Sequence, residues 1–174
     1  MEAQVYHHRM DRHDDVAGPA PTAPTPLKWV LAGVIGGVVL LVALPVAMWL
    51  GRDGFLTDSI LAQDPGLNEK QLELAIWASI LYAVVLHAVD VAVTIWLMVK
   101  LWQGRQWARV AMTVYLVIAT AGSLYSATQG DSYLIAVIPT DALHLMMLVL
   151  LWVPRSVREF FATHQRMRST AQGG

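Results

Sequence analysis

Cysteine is absent from the chain, and charged side chains are scarce. The absence of cysteine excludes disulfides, thiolate metal sites, iron–sulfur clusters and cysteine nucleophiles. Asp, Glu, Lys and Arg make up 14% of the residues, whereas soluble domains carry about 25%. The formal net charge is −1, which gives no reason to expect a nucleic acid as partner. These deficits point away from a water-soluble or nucleic-acid-binding protein.

Four long apolar stretches take up about half of the 174 residues. They cover residues 29–50, 74–99, 110–127 and 133–153. About 20 apolar residues, rising about 1.5 Å each, cross the hydrocarbon layer of a bilayer, so each stretch is long enough to span it. We therefore predict an all-α, multi-pass integral membrane protein of the four-helix-bundle class, located in the plasma membrane.

Lys and Arg are distributed unequally between the two predicted membrane faces. With the amino terminus in the cytoplasm, the outer side holds only Arg52 and Lys70. The inner side holds ten basic residues: Arg9, Arg12, Lys28, Lys100, Arg105, Arg109, Arg155, Arg158, Arg166 and Arg168. The positive-inside rule then predicts that both termini are cytoplasmic. A cleaved signal peptide is the alternative for the first stretch, but its 22 apolar residues exceed the usual ~7–15 of a signal core.

The remaining residues are predicted to form two tails and one longer loop. Residues 1–27 read as a disordered, Pro-rich cytoplasmic tail, residues 28–161 as the four-span domain and residues 162–174 as a second cytoplasmic tail. Three histidines, His7, His8 and His13, fall in the first tail. They can bind a metal, but a solvated segment is the favoured interpretation.

The outer loop, residues 51–73, carries a helix-start signal at its far end. Asn68 is followed three residues later by Gln71, which is the pattern of a capping box. The loop also holds four apolar residues at helical spacing, Phe55, Leu56, Ile60 and Leu61. They predict either one helical turn on the membrane surface or a partly ordered connection.

Trp and Arg flank the inner ends of the predicted spans. These residues are Trp102, Arg105, Trp107, Arg109, Trp152, Arg155 and Arg158. Trp prefers the membrane interface and Arg the cytoplasmic side, so we interpret them as interface anchors. Because each basic charge near an anionic leaflet is worth ~1 kcal/mol, we expect anionic lipids to gather at this face.

Four ionisable side chains lie inside the predicted spans: His87 and Asp90 in the second, and Asp141 and His144 in the fourth. Each pair is spaced i, i+3 and so occupies one helix face. Counted back from the basic residue at each inner end, His87 lies at the depth of Asp141, and Asp90 at the depth of His144. If the second and fourth spans are neighbours, each histidine faces an aspartate of the other span.

Energetics favours a use for this group beyond packing. An ionised Asp near the bilayer centre costs ~2.5–3.5 kcal/mol, whereas a polar contact between membrane helices returns ~0.6 kcal/mol on average.

Four interpretations of the group stay open. The first two are interhelical contacts without chemistry and a proton relay. The other two are a zinc or manganese site of all four residues and a haem between His87 and His144, which the carboxylates disfavour. The third span adds a polar or small-residue face of Thr113, Thr120, Ser123 and Ala127.

The function expected from this pattern is that of a non-enzymatic accessory or scaffolding component of a membrane complex. We expect a homo-oligomer or a subunit of a larger assembly in the lipid bilayer, without a cofactor. The alternative is a small proton- or metal-coupled transporter that uses His87, Asp90, Asp141 and His144. An enzyme acting on lipid or quinone is a third possibility, which needs a catalytic set near an interface.

Two segments also carry a family resemblance. The segment 102–109 before the third span and the segment 150–161 after the fourth, together with the Pro-rich tail, resemble the uncharacterised small four-helix membrane proteins of actinobacteria. The resemblance covers about residues 25–161. It implies a four-helix plasma-membrane fold, and it carries over no catalytic or binding residue.

Overall fold

The computed structural model describes residues 22–128 and 134–172. Residues 1–21 of the predicted disordered tail, which include its three histidines, lie outside the described residues. The same is true of Tyr133, at the start of the fourth predicted span. The described residues form six α-helices and no strand: α1 (Thr25–Leu50), α2 (Thr57–Gln63), α3 (Glu69–Trp102), α4 (Gln106–Ala127), α5 (Leu134–Trp152) and α6 (Arg155–Gln172). The all-α prediction is confirmed.

Three of these helices, α1, α3 and α4, are each long and apolar enough to cross a membrane. The fourth candidate is α5 taken together with α6, and the two are bent by 58° at the break between them. The bend falls at Pro154, which has no N–H to continue the hydrogen bonds of α5. The described chain therefore holds three to four membrane-length apolar helices.

The start of α3 agrees with the predicted capping box. The Asn68 side-chain oxygen accepts a hydrogen bond from the Gln71 N–H at 3.1 Å, and the Gln71 side-chain oxygen accepts one from the Asn68 N–H at 3.0 Å. Two donors that the first helical turn would leave unpaired are thus satisfied.

The segment before α3 is helical over most of its length. A π-helical turn (Arg52–Leu56) leads directly into α2, as the helical interpretation of this loop predicts. Leu56 is buried, and the Asp64 carboxylate accepts a hydrogen bond from the Gly66 N–H at 3.2 Å. This short helical unit lies between α1 and α3 and contacts both.

The long helices pack in a closed sequence of neighbours. Helix α3 packs against α1 and α4, and α5 packs against the same two helices, so α3 and α5 occupy diagonal positions. Helix α6 contacts α5 and the first turns of α1. We call the end that carries α6 the α6 end, and the opposite end, which carries α2, the α2 end.

The buried core lies at the α6 end. Its members come from five helices: Leu27, Val30 and Val34 of α1, Leu97, Met98 and Leu101 of α3, Ala108, Met112 and Leu116 of α4, Met147 and Leu151 of α5, and Val157, Phe160 and Phe161 of α6. Close van der Waals packing is what holds membrane helices together, and these side chains are the largest group of buried apolar residues in the part of the chain that the structure describes. Five helices are therefore held together chiefly at one end.

The residues assigned above to a carboxy-terminal tail belong to α6 as far as Gln172. Val157, Phe160 and Phe161 of this helix are buried, and their spacing of three and four places them on one helical face. This amphipathic pattern ends just before the predicted tail, and residues 162–172 of that tail continue the same helix.

Candidate functional site

The first ionisable pair lies on α3. His87 Nδ1 is 3.8 Å from Asp90 Oδ2, a separation expected for side chains at i, i+3 on one helix face. The side chains of His87 and Asp90 are 19% and 31% exposed, and His87 Nδ1 has no hydrogen-bond partner among the described residues. On the neighbouring α4, Tyr115 lies close to Thr94 and Asp90. Sequence reasoning did not assign Tyr115 to this group.

The second pair lies on α5 and is more deeply buried. His144 Nδ1 is 3.8 Å from Asp141 Oδ1 and 3.0 Å from Thr120 Oγ1 of α4. Thr120 belongs to the polar face predicted for the third span, and its contact with His144 agrees with that face pointing inward. Both carboxylate oxygens of Asp141 are buried and have no hydrogen-bond partner among the described residues.

The structure does not meet the condition under which the two pairs would face each other. Each histidine pairs with the aspartate of its own helix, His87 with Asp90 and His144 with Asp141, and α3 and α5 lie diagonally with α1 and α4 between them. The sequence shows that two residues lie at the same depth in the membrane, but it does not show whether their helices are neighbours. Short connections favour packing between helices that are adjacent in the chain, and α4 separates α3 from α5.

The zinc or manganese interpretation, one of the four left open by the sequence, requires the same meeting of the two pairs. A structural or catalytic zinc site needs three or four protein ligands around one ion. Among residues 22–128 and 134–172, no group of three or more His, Asp or Glu is close enough to hold a metal ion. His87, Asp90, Asp141 and His144 form two separate pairs instead.

Arg109, predicted as an interface anchor, is 4% exposed. Its Nε donates a hydrogen bond to the carbonyl oxygen of Leu151 at 3.0 Å, in the last turn of α5. Its guanidinium carbon lies 3.9 Å from the centroid of the Trp152 ring and 5.3 Å from that of Phe161. Both distances allow cation–π attraction, so this side chain joins α4, α5 and α6.

A short chain of hydrogen bonds extends this contact. The Trp152 indole N–H donates to Thr113 Oγ1 at 2.8 Å, and the Thr113 hydroxyl donates to the carbonyl oxygen of Arg109 at 2.9 Å. The other predicted anchors, Trp102, Arg105, Trp107, Arg155 and Arg158, are exposed. Exposure at these positions is compatible with interface anchoring, whereas Arg109 acts within the protein.

A second arginine contact holds the turn between α3 and α4. Arg168 Nη2 donates a hydrogen bond to the Gly104 carbonyl oxygen, and Gly104 has a left-handed φ of +64°. The His164 side chain packs directly against Gly104, while its Nδ1 lies 2.9 Å from the Phe160 carbonyl oxygen. His164 and Arg168 were not among the predicted site residues. Their i, i+4 spacing on the buried side of α6 is the signal that could have identified them.

The α2 half of the protein contains an open apolar groove. It lies between α1 and α3 and has a volume of about 550 Å³. Leu41, Pro45 and Trp49 line it from α1, and Val84 and His87 from α3. His87 is the one ionisable side chain in this lining.

No family model matches the chain, and no curated protein or solved structure matches it. The resemblance to the actinobacterial four-helix proteins therefore stays a prediction. The functional conclusions below depend on the geometry of the described residues.

Proposed function

We propose that this chain is a four-span integral protein of the plasma membrane with both termini in the cytoplasm, and that it serves as a non-enzymatic accessory component that associates laterally with other membrane helices. The bias of Lys and Arg toward the α6 end supports the orientation. The length and apolar character of α1, α3, α4 and the α5–α6 pair support the four spans.

The single observation that carries the accessory role is the contrast in packing between the two halves. The α6 half contains the core cluster of five helices. Among the described residues, the α2 half buries four further apolar side chains, Leu56, Ile80, Ala83 and Val137, and contains the groove between α1 and α3. Membrane helices associate through close van der Waals packing, so a loosely packed half with an open groove is suited to another helix.

The glycines of α1 support the same interpretation. A Cβ at Gly33 would lie 2.8 Å from Met147 Sδ, so this glycine permits a close approach to α5. At Gly36 and Gly37 a Cβ would meet no atom within 4 Å. Small residues that face open space allow the backbone of an additional helix to approach closely.

The test is the mass of the complex extracted from its native membrane into lipid nanodiscs. We expect the wild-type chain to extract with foreign subunits, and Val84→Phe, which fills the groove, to lose at least half of them. Val114→Phe is the matched control, because Val114 is similarly exposed on α4 and lies outside the groove lining. A wild-type chain that extracts as a monomer would contradict the accessory role.

A second candidate function is proton-coupled transport, and a specific observation favours it. His87 Nδ1 and both oxygens of Asp141 are buried without hydrogen-bond partners among the described residues. Of the four ionisable groups, His144 alone makes an interhelical hydrogen bond there. Groups that served only to join helices would be expected to have partners, since an unpaired buried polar group costs ~1–3 kcal/mol.

Proton flux into liposomes containing a pH-sensitive dye tests this candidate. Transport predicts a flux above that of protein-free liposomes, lost by at least tenfold in Asp141→Asn and kept in Asp58→Asn, which removes an exposed loop carboxylate. A wild-type flux equal to that of empty liposomes would exclude it. Purification as a homodimer without foreign subunits would favour transport over the accessory role.

A further inference from the structure

Arg109 is a buried cation that has no carboxylate partner within residues 22–128 and 134–172. It is 4% exposed, and its Nη2 has no hydrogen-bond acceptor among the described residues. The Leu151 carbonyl and the Trp152 ring compensate part of its charge. Neither carries a full negative charge, and the electrostatic demand of the guanidinium is therefore only partly met.

A second arginine increases this demand. Arg158 lies close enough to repel the Arg109 charge, and it is one helical turn before Phe161, whose ring faces the same guanidinium. Among the described residues, no carboxylate oxygen lies within 4.0 Å of either arginine. Two arginines thus lie around Phe161 without a carboxylate partner among the described residues, and Arg109 is the one removed from water.

The first turn of α6 adds donors at the same place. Helix α6 begins at Arg155, and the first N–H groups of an α-helix have no partner within the helix. With the helix dipole they favour an anion at this terminus. Arg155, Ser156 and Arg158 are all exposed there, so a ligand can reach them from solvent or from the membrane surface.

We propose that a phosphate group binds at the start of α6, held by Arg158 and the amides of the first turn and placed to neutralise the buried Arg109. The chemistry fits because a guanidinium binds phosphate through two parallel hydrogen bonds. Trp152 is exposed beside Arg109, in the position of an interfacial tryptophan, so the source of the phosphate is the headgroup of an anionic phospholipid. This proposal rests on the proposed function in one respect, since it places the α6 end at the anionic inner leaflet.

The test compares two exposed arginines of the same helix. Native mass spectrometry of the protein from nanodiscs of phosphatidylcholine with phosphatidylglycerol measures which lipid is retained. We expect the wild type to retain phosphatidylglycerol and Arg158→Gln to lose that preference by about tenfold, the effect of one charge-assisted hydrogen bond. Arg166→Gln removes the same charge two turns further along α6, and the preference should stay within about twofold.

Thermal unfolding gives a second readout. The difference in unfolding temperature between Arg158→Gln and the wild type should depend on the lipid. In pure phosphatidylcholine, Arg158→Gln should unfold at the same temperature as the wild type or higher, because the repulsion on Arg109 is removed. With phosphatidylglycerol the wild type should gain stability and Arg158→Gln should not. A general effect of surface charge would change Arg158→Gln and Arg166→Gln equally, and that result would overturn the proposal.

Inorganic phosphate distinguishes the two sources of the group. Stabilisation of the detergent-solubilised wild type by millimolar phosphate, lost in Arg158→Gln, would assign the site to phosphate itself. Stabilisation by phosphatidylglycerol alone would assign it to the lipid. No Arg158-dependent effect of either would overturn the proposal. Nanodiscs expose both faces of the protein, so this failure is distinct from a failure of the predicted orientation.

Discussion

At the scale of single residues, two arginines bind backbone carbonyl groups in or just after the last turn of a helix. The last carbonyl groups of a helix lack partners and carry partial negative charge. Arg109 of α4 binds such a carbonyl on α5, and Arg168 of α6 binds the Gly104 carbonyl just after α3. Both arginines thereby join helices that are distant in sequence, at the end of the protein where the core lies.

Gly104 is the residue at which a small change has the clearest predicted effect. Alanine disfavours the φ of +64°, and its Cβ would lie 2.7 Å from His164 Cβ. We expect Gly104→Ala to lower the free energy of unfolding by about 2–4 kcal/mol, from the left-handed backbone and the overlap together. Unfolding in detergent micelles measures this value.

Two further variants separate the causes. In a His164→Gly background, which removes both the Cβ and the ring of residue 164, Gly104→Ala should lose only the backbone part, about 1–2 kcal/mol. Gly122→Ala lies in α4 where a Cβ meets nothing within 4 Å, and it should leave stability unchanged or raise it by up to about 1 kcal/mol. Equal effects of Gly104→Ala and Gly122→Ala would contradict the close packing of α6 on the turn.

How far residues could be predicted depends on the range of their interactions. The capping box of Asn68 and Gln71 was predictable because both partners lie within four residues. The burial of Arg109 was not predicted, because the positive-inside rule counts charges without locating them. Its spacing of three from Met112 and seven from Leu116, both buried, does place it on the core face of α4.

At the scale of elements, α6 is held by its aromatic side chains. Phe161 is 2% exposed, and its ring lies 5.4 Å from that of Phe160 in an edge-to-face arrangement. We expect Phe161→Ala to lower the free energy of unfolding by about 3–5 kcal/mol, the usual loss for a buried phenylalanine. Met167→Ala, at an exposed position of the same helix, should change it by less than about 0.5 kcal/mol.

Hydrogen exchange of the α6 amides checks whether the loss is local. Phe161→Ala should speed exchange throughout α6, whereas Met167→Ala should leave it slow. Fast exchange of α6 in the wild type would contradict the packing of this helix on the core.

The four long helices were predictable from apolar length alone. Helix α6 depends instead on the pattern of Val157, Phe160 and Phe161, which is too short to reveal what the helix packs against.

At the scale of the whole molecule, the core cluster lies at the α6 end and the larger groove lies in the α2 half. Apolar runs predict how many helices there are and how long they are, and charge predicts their direction. Neither predicts which helices are neighbours, because the lipid-facing sides of membrane helices are as apolar as their contacts. The i, i+3 spacing therefore indicated the contact within each His–Asp pair, but whether the two pairs meet could not be predicted from the sequence.

The orientation of the α6 end in the membrane is the central claim, and labelling of single cysteines tests it most directly. The chain has no cysteine of its own, so Asp58→Cys near the α2 end and Ser169→Cys on α6 each report one position, and both residues are exposed. In intact cells, a membrane-impermeant thiol reagent should label Asp58→Cys and reach Ser169→Cys only after the membrane is permeabilised. Labelling of Ser169→Cys in intact cells, with Asp58→Cys protected, would contradict the account.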